Sequence, residues 1–81
     1  MVKVTLWGGL RDLAGGNSEF EIPAATIRDV FRRLIKDYPG LDWELENNVS
    51  VAVDGQVYRD SWFVDLHDGA EVFILPKLQG G

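Results

Sequence analysis

Val2, Val4 and Leu6 alternate with Lys3, Thr5 and Trp7, the period of a half-buried strand, and Trp7 falls on the face opposite the valines. Gly8-Gly9 breaks the pattern, and the short stretch Leu10 to Ala14 ends at Gly15-Gly16, a turn signal. Phe20 and Ile22 alternate with Glu19 and Glu21 in a second strand that stops at Pro23, so the first two strands form a hairpin with a long connection. Ile27, Val30, Phe31, Leu34, Ile35 and Tyr38 then recur at helical spacing as one apolar stripe. Thr26 is placed to cap this helix, with Asp29 as its capping-box partner, and Pro39-Gly40 ends it. Arg28, Arg32, Arg33 and Lys36 fall on the other side and are expected to be a solvated face. Leu41 to Glu46 predicts a helical turn that drops Leu41 and Leu45 onto the core. Val49, Val51 and Val53 mark a third strand, Asp54-Gly55 a hairpin turn, and Gln56 to Tyr58 a short returning strand. Arg59 to Asp65 has no period, and Trp62 and Phe63 are expected to cover one end of the core. After a turn at His67-Asp68-Gly69, Ala70 to Leu75 is the last and most apolar strand, as a central strand should be.

One helix must cover one face of one sheet, which predicts a two-layer α+β fold. Placing the last strand beside the first, in the centre, fits a ubiquitin-like β-grasp: a mixed sheet of four to five strands with one main helix on one face. A ferredoxin-like arrangement would need a second helix, and Arg59 to Asp65 lacks its period. Residues 1–76 are expected to form the domain and 77–81 a flexible C-terminal tail.

Composition narrows the chemistry. Eighty-one residues suit one small domain. There is no cysteine, so no side-chain thiol can carry sulfur and no disulfide or thiolate metal site forms. A formal net charge of -5 argues against nucleic acid and anionic membranes and favours a basic protein partner. No apolar run spans a bilayer and no signal peptide opens the chain, so a cytoplasmic location is expected. His67 is the only histidine and sits in a turn; Ser18, Ser50 and Ser61 have no paired base in sequence reach. Gly8-Gly9 and Gly15-Gly16 lack the strand-loop-helix context of a phosphate loop. No catalytic residue, metal site or bound cofactor is expected.

The end of the chain is the remaining candidate. Gly80-Gly81 has no side chains, so it can pass through a narrow channel and take backbone angles closed to other residues. The α-carboxylate of Gly81 is then the reactive group at the tip, inert until activated. Pro76 has no N–H to continue a ladder, and Lys77 to Gly81, at roughly 3.3–3.6 Å per extended residue, would reach about 17 Å.

Leu10-Arg11-Asp12-Leu13-Ala14-Gly15, Tyr38-Pro39-Gly40-Leu41, Val51-Ala52-Val53-Asp54-Gly55 and above all Leu66-His67-Asp68-Gly69-Ala70-Glu71-Val72-Phe73-Ile74-Leu75-Pro76, with Gly80-Gly81 last, resemble the ubiquitin-like sulfur carriers. The chain most resembles the small subunit of molybdopterin synthase, and the thiamin-thiazole carrier more distantly. The resemblance implies a partner of the ubiquitin-activating type that uses ATP to adenylate Gly81. A persulfide then supplies sulfur, giving a C-terminal thiocarboxylate that donates it inside an acceptor enzyme, expected to be the molybdopterin synthase large subunit. The same tail would serve a protein modifier, or a sulfur donor for tRNA thiolation, thiamin or cysteine synthesis. A plain β-grasp interaction module is the third possibility. Lys77 and Gln79 depart from the family tail, which leaves the acceptor open.

Strand parity gives a docking face. With Val72 and Ile74 toward the helix, Phe73 and Leu75 face away, as does Trp7, and Val57 joins them. Such an outward apolar cluster suggests a protein interface unless Trp62 or Phe63 folds over it. In the related carriers, apolar residues at matching positions dock onto partners. Arg11 matches a recurring family arginine and is the fifth docking residue. Leu78, Gln79 and Gly80 are expected to thread into the partner.

Overall fold

Strand β1 (Val2–Leu6) pairs antiparallel with β2 (Glu19–Ile22) and parallel with β5 (Glu71–Pro76). β5 also pairs antiparallel with β3 (Val49–Val53), which carries β4 (Gln56–Tyr58) at its outer edge. The sheet order is β2-β1-β5-β3-β4, so the most apolar strand is central and lies beside the first, as expected. The computed structural model describes residues 1–59 and 61–77.

Helix α2 (Ile27–Asp37) crosses one face of this sheet. Its N-terminus is closed by a full capping box: Asp29 N–H donates to Thr26 Oγ1 at 3.2 Å, and Thr26 N–H donates to Asp29 Oδ2 at 3.2 Å. Ile27, Val30, Phe31 and Leu34 are buried against Val2, Val4 and Leu6 of β1, the three valines of β3, and Val72 and Ile74 of β5. Each fully buried side chain of this kind contributes about 1.5–3 kcal/mol. The two-layer α+β reading therefore holds: this is a ubiquitin-like β-grasp with a mixed five-stranded sheet.

A 3-10 turn (Pro39–Leu41) and helix α3 (Asp42–Asn47) follow, and Leu41 and Leu45 are fully buried, as the spacing predicts. Tyr38 lies just past the end of α2 rather than in it, yet its ring stays packed edge-on against Phe20 at 5.9 Å. Leu10–Leu13 forms one further turn of helix, α1. Asp54 and Gly55 have φ of 49° and 90°, the two positive angles that a type I′ hairpin turn requires.

The segment after β4 corrects one expectation. Trp62 covers the core from the helix side, its ring 5.0 Å from Phe31, and its carbonyl accepts from Arg28 N–H at 2.8 Å. Phe63 does not share that role: it is 79% exposed. The two aromatics sit side by side in a turn, and only Trp62 reaches the core.

Candidate docking face and tail exit

The sheet face opposite α2 is built from the alternate residues of the same strands. Across it, Val57, Ala52, Phe73, Thr5 and Glu19 form one continuous row of paired positions. One step toward the end of β5 lies Leu75, paired with Ser50. Trp7 reaches the same level, because its N–H donates to the Ile74 carbonyl at 3.0 Å. The Trp7 and Phe73 rings meet edge-on with centroids 6.3 Å apart, a geometry that places the positive ring edge against the negative face.

Trp7, Phe73 and Leu75 thus lie together on the face away from α2, as strand parity predicts. Trp7 and Val57 are 51% and 55% exposed, while Phe73 and Leu75 are half-buried between their strand neighbours. Val57 is one strand removed from Phe73, with only the small Ala52 between them. Trp62 and Phe63 do not cover the patch, since Trp62 packs against Phe31 of α2 and Phe63 points to solvent. Arg11 is not in this row; on α1 it sits around the corner of β1, lining a small hollow with Thr5, Trp7 and Ser18.

The described residues end one past β5, at Lys77. The Ile74 carbonyl faces β1, so Pro76, two residues on, turns its missing donor toward a strand that has already ended at Leu6. Lys77 N–H then donates to the Asn48 carbonyl at 2.8 Å, so main-chain pairing to the body runs through Lys77. Gly8 makes room for the proline ring. It has φ of 63°, and a Cβ there would stand 3.2 Å from Pro76 Cγ. Trp7, Gly8, Ser50, Arg59, Leu75, Pro76 and Lys77 enclose a concavity of about 670 Å³ at this point. Sequence reasoning missed Arg59 here; its position just past β4, two residues after Val57, was the available signal. Gly81, Gly80, Gln79 and Leu78 lie outside the described residues.

The opposite end of β5 holds the polar contacts. His67 Nε2 lies 2.6 Å from Asp54 Oδ2, and its Nδ1 lies 2.8 Å from the Asp68 carbonyl. Both ring nitrogens face acceptors, which favours the doubly protonated ring and raises the His67 pKa above its ordinary value, chiefly through Asp54. Asp54 Oδ1 also accepts from Glu71 N–H at 3.0 Å, and this bond, with His67 behind it, lowers the Asp54 pKa. The N-terminal ammonium of Met1 pairs with Asp68 and lowers that carboxyl likewise. On the helix face, Arg33 pairs with Asp37 at 3.0 Å and Arg28 with Glu46 at 3.5 Å, ordinary exposed ion pairs. Among the described residues, no cluster of histidines and carboxylates could hold a metal ion, and no helix is long and apolar enough to cross a membrane.

A β-grasp body whose uncovered sheet face carries an apolar patch is the frame of a ubiquitin-like protein. The family model of the ThiS family matches residues 4–81, and the chain belongs to this family of ubiquitin-like sulfur carriers and modifiers. Among solved structures, it is similar to small archaeal modifier protein 1 from Methanosarcina acetivorans, with 26% identity, a TM-score of 0.83 and coverage of 99% of this chain and 95% of that one. It is also similar to a candidate molybdopterin converting factor subunit 1 from Pyrococcus furiosus, with 29% identity, a TM-score of 0.72 and coverage of 95% and 97%. The complex of subunits 1 and 2 of the molybdopterin-converting factor from Helicobacter pylori contains the same fold, with 24% identity, a TM-score of 0.70 and coverage of 99% and 97%. A search of curated proteins finds no match.

Proposed function

We propose that this protein carries sulfur on Gly81 as a thiocarboxylate. In this reading a ubiquitin-activating-type enzyme binds the body, and an oxygen of the Gly81 carboxylate attacks the α-phosphorus of ATP. Pyrophosphate leaves, and the acyl adenylate is open to a persulfide sulfur, which displaces AMP. A thiol reductant cleaves the resulting acyl disulfide and leaves the thiocarboxylate, a better nucleophile than the carboxylate it replaces. ATP-dependent activation belongs in the cytoplasm. The carrier's own part is reach, docking and the carboxylate, with Leu78, Gln79 and Gly80 threading into each partner.

The observation that carries the reading is the uncovered Trp7–Phe73–Leu75 patch, which runs directly to the Pro76–Lys77 exit. A partner seated on Phe73 and Leu75 would receive the following residues in a fixed direction. Val57 extends the contact, and Arg11 borders it beside Trp7. The acceptor in this reading is a molybdopterin synthase large subunit, supported by the likeness to the converting-factor subunit of Pyrococcus furiosus. The second reading is a protein modifier joined through Gly81 to lysines, supported by the likeness to the archaeal modifier protein.

One experiment separates them. The thiocarboxylate form is presented in parallel to a molybdopterin synthase large subunit with its pterin precursor, and to a lysate with ATP and the activating enzyme. Dithiolene product supports the carrier reading, and isopeptide-linked adducts without product support the modifier.

A further inference from the structure

The outward sheet face is electrically polarised along β5. At the start of the strand, Glu71 pairs across to Lys3 and Lys3 to Glu21, and Glu19 lies at the edge of the next row, so acids outnumber cations there. Apolar Val57, Ala52 and Phe73 fill the middle. At the exit, Arg59 and Lys77 flank Trp7 and Leu75 around the concavity. A protein of net charge -5 thus gathers two cations at the point where residues 78–81 begin. Net charge alone points to a basic partner; the distribution on this face points elsewhere. Charges on the rim of an apolar contact govern encounter rate, orientation and choice of partner more than total affinity.

Resting on the carrier reading above, we propose that Arg59 and Lys77 select the partner. The surface that fits this face bears carboxylates around the opening that receives the tail. It bears cations where it meets Glu71 and Glu21. Phe73 and Leu75 supply contact area that any apolar partner could use, and the charge pattern sets the direction of the tail. A partner approaching in the reversed orientation would bring its acids to Glu71 and its cations to Arg59. Within a Debye length of about 8 Å at physiological salt, both encounters are repulsive.

The test uses the full-length chain and the adenylating enzyme from the same organism. Binding is measured by titration across a salt series, and activation by ATP–pyrophosphate exchange. The double variant Arg59→Glu/Lys77→Glu keeps the apolar patch. Arg32→Glu/Lys36→Glu makes the same change of net charge on the helix side and serves as the reference. The exit pair is expected to weaken binding about tenfold or more at low salt, mostly through slower association, and the loss should shrink as salt rises. The helix pair should stay within about twofold of wild type, and thermal melts of both should match wild type. If wild type supports exchange and the exit variant binds as wild type does, or both variants weaken equally, the selection by Arg59 and Lys77 is overturned while the carrier reading stands. If wild type itself supports no exchange with an enzyme active on another carrier, the carrier reading fails and this inference with it.

Discussion

The Trp7 ring stands edge-on to the Phe73 ring at an interplanar angle of 73°, across the parallel pairing of β1 and β5 and on the side away from the helix. Ile74, the next residue along, is fully buried on the helix side. Adjacent residues of one strand therefore carry opposite duties. Phe73→Asp is expected to cost the aromatic pair, about 0.5–1.5 kcal/mol, and to weaken partner binding more than tenfold. Ile74→Asp puts a charge in the core and should cost more than about 3 kcal/mol. Thermal melts and binding titrations of the two variants check this together. Equal loss of stability in both would mean that the patch is structural.

Gly8 is expected to be the least replaceable residue of the exit. Gly8→Ala meets a left-handed backbone angle, which costs about 1–2 kcal/mol, and a contact of 3.2 Å to the Pro76 ring. Gly9 has neither constraint, so Gly9→Ala should be close to neutral. Denaturant unfolding of the two variants gives the comparison.

The His67–Asp54 contact makes stability depend on pH with a definite sign. The His67 pKa is raised above its ordinary 6.5, so its contribution is fully present below 6.5 and is lost as pH rises through the raised value. Asp54 is lowered from 3.8, so its own contribution is present above 3.8 and is lost only as pH falls through the lowered value. Between about pH 5 and about pH 9 the melting temperature of wild type should fall slightly through the histidine range. His67→Gln should remove that fall, and a fall that persists in the variant would assign it to another group.

Much of this could be read from residue spacing. Strand period two put Phe73 and Leu75 outward, and Thr26 and Asp29 announced the capping box. Asp54-Gly55 named its own turn, and the apolar run of β5 placed it at the centre. What escaped depends on contacts between distant segments or on pieces too short for a period. Four residues are too few to show helical periodicity, so α1 read only as a short stretch. Nothing local distinguishes half-buried Trp62 from exposed Phe63; the Phe31 ring decides it. His67 reaches Asp54 only because β5 and β3 pair. Arg59 joins Lys77 only because β4 lies beyond β3 on the same face.

Thr26→Ala should cost about 1 kcal/mol through loss of the cap, with no change in partner affinity, because α2 lies on the far side of the sheet from the patch. Chemical denaturation and binding titration report the two effects separately. A loss of affinity in a variant that is still folded would move the interface to the helix face.

The most direct measurement is the intact mass of the protein after incubation with its activating enzyme, ATP, a persulfide source and thiol reductant. The account predicts exchange of one oxygen for sulfur, located at Gly81 by fragmentation, and none in a variant lacking Gly80-Gly81 that still melts as wild type. An unchanged mass, with the same enzyme preparation converting another carrier, would contradict it.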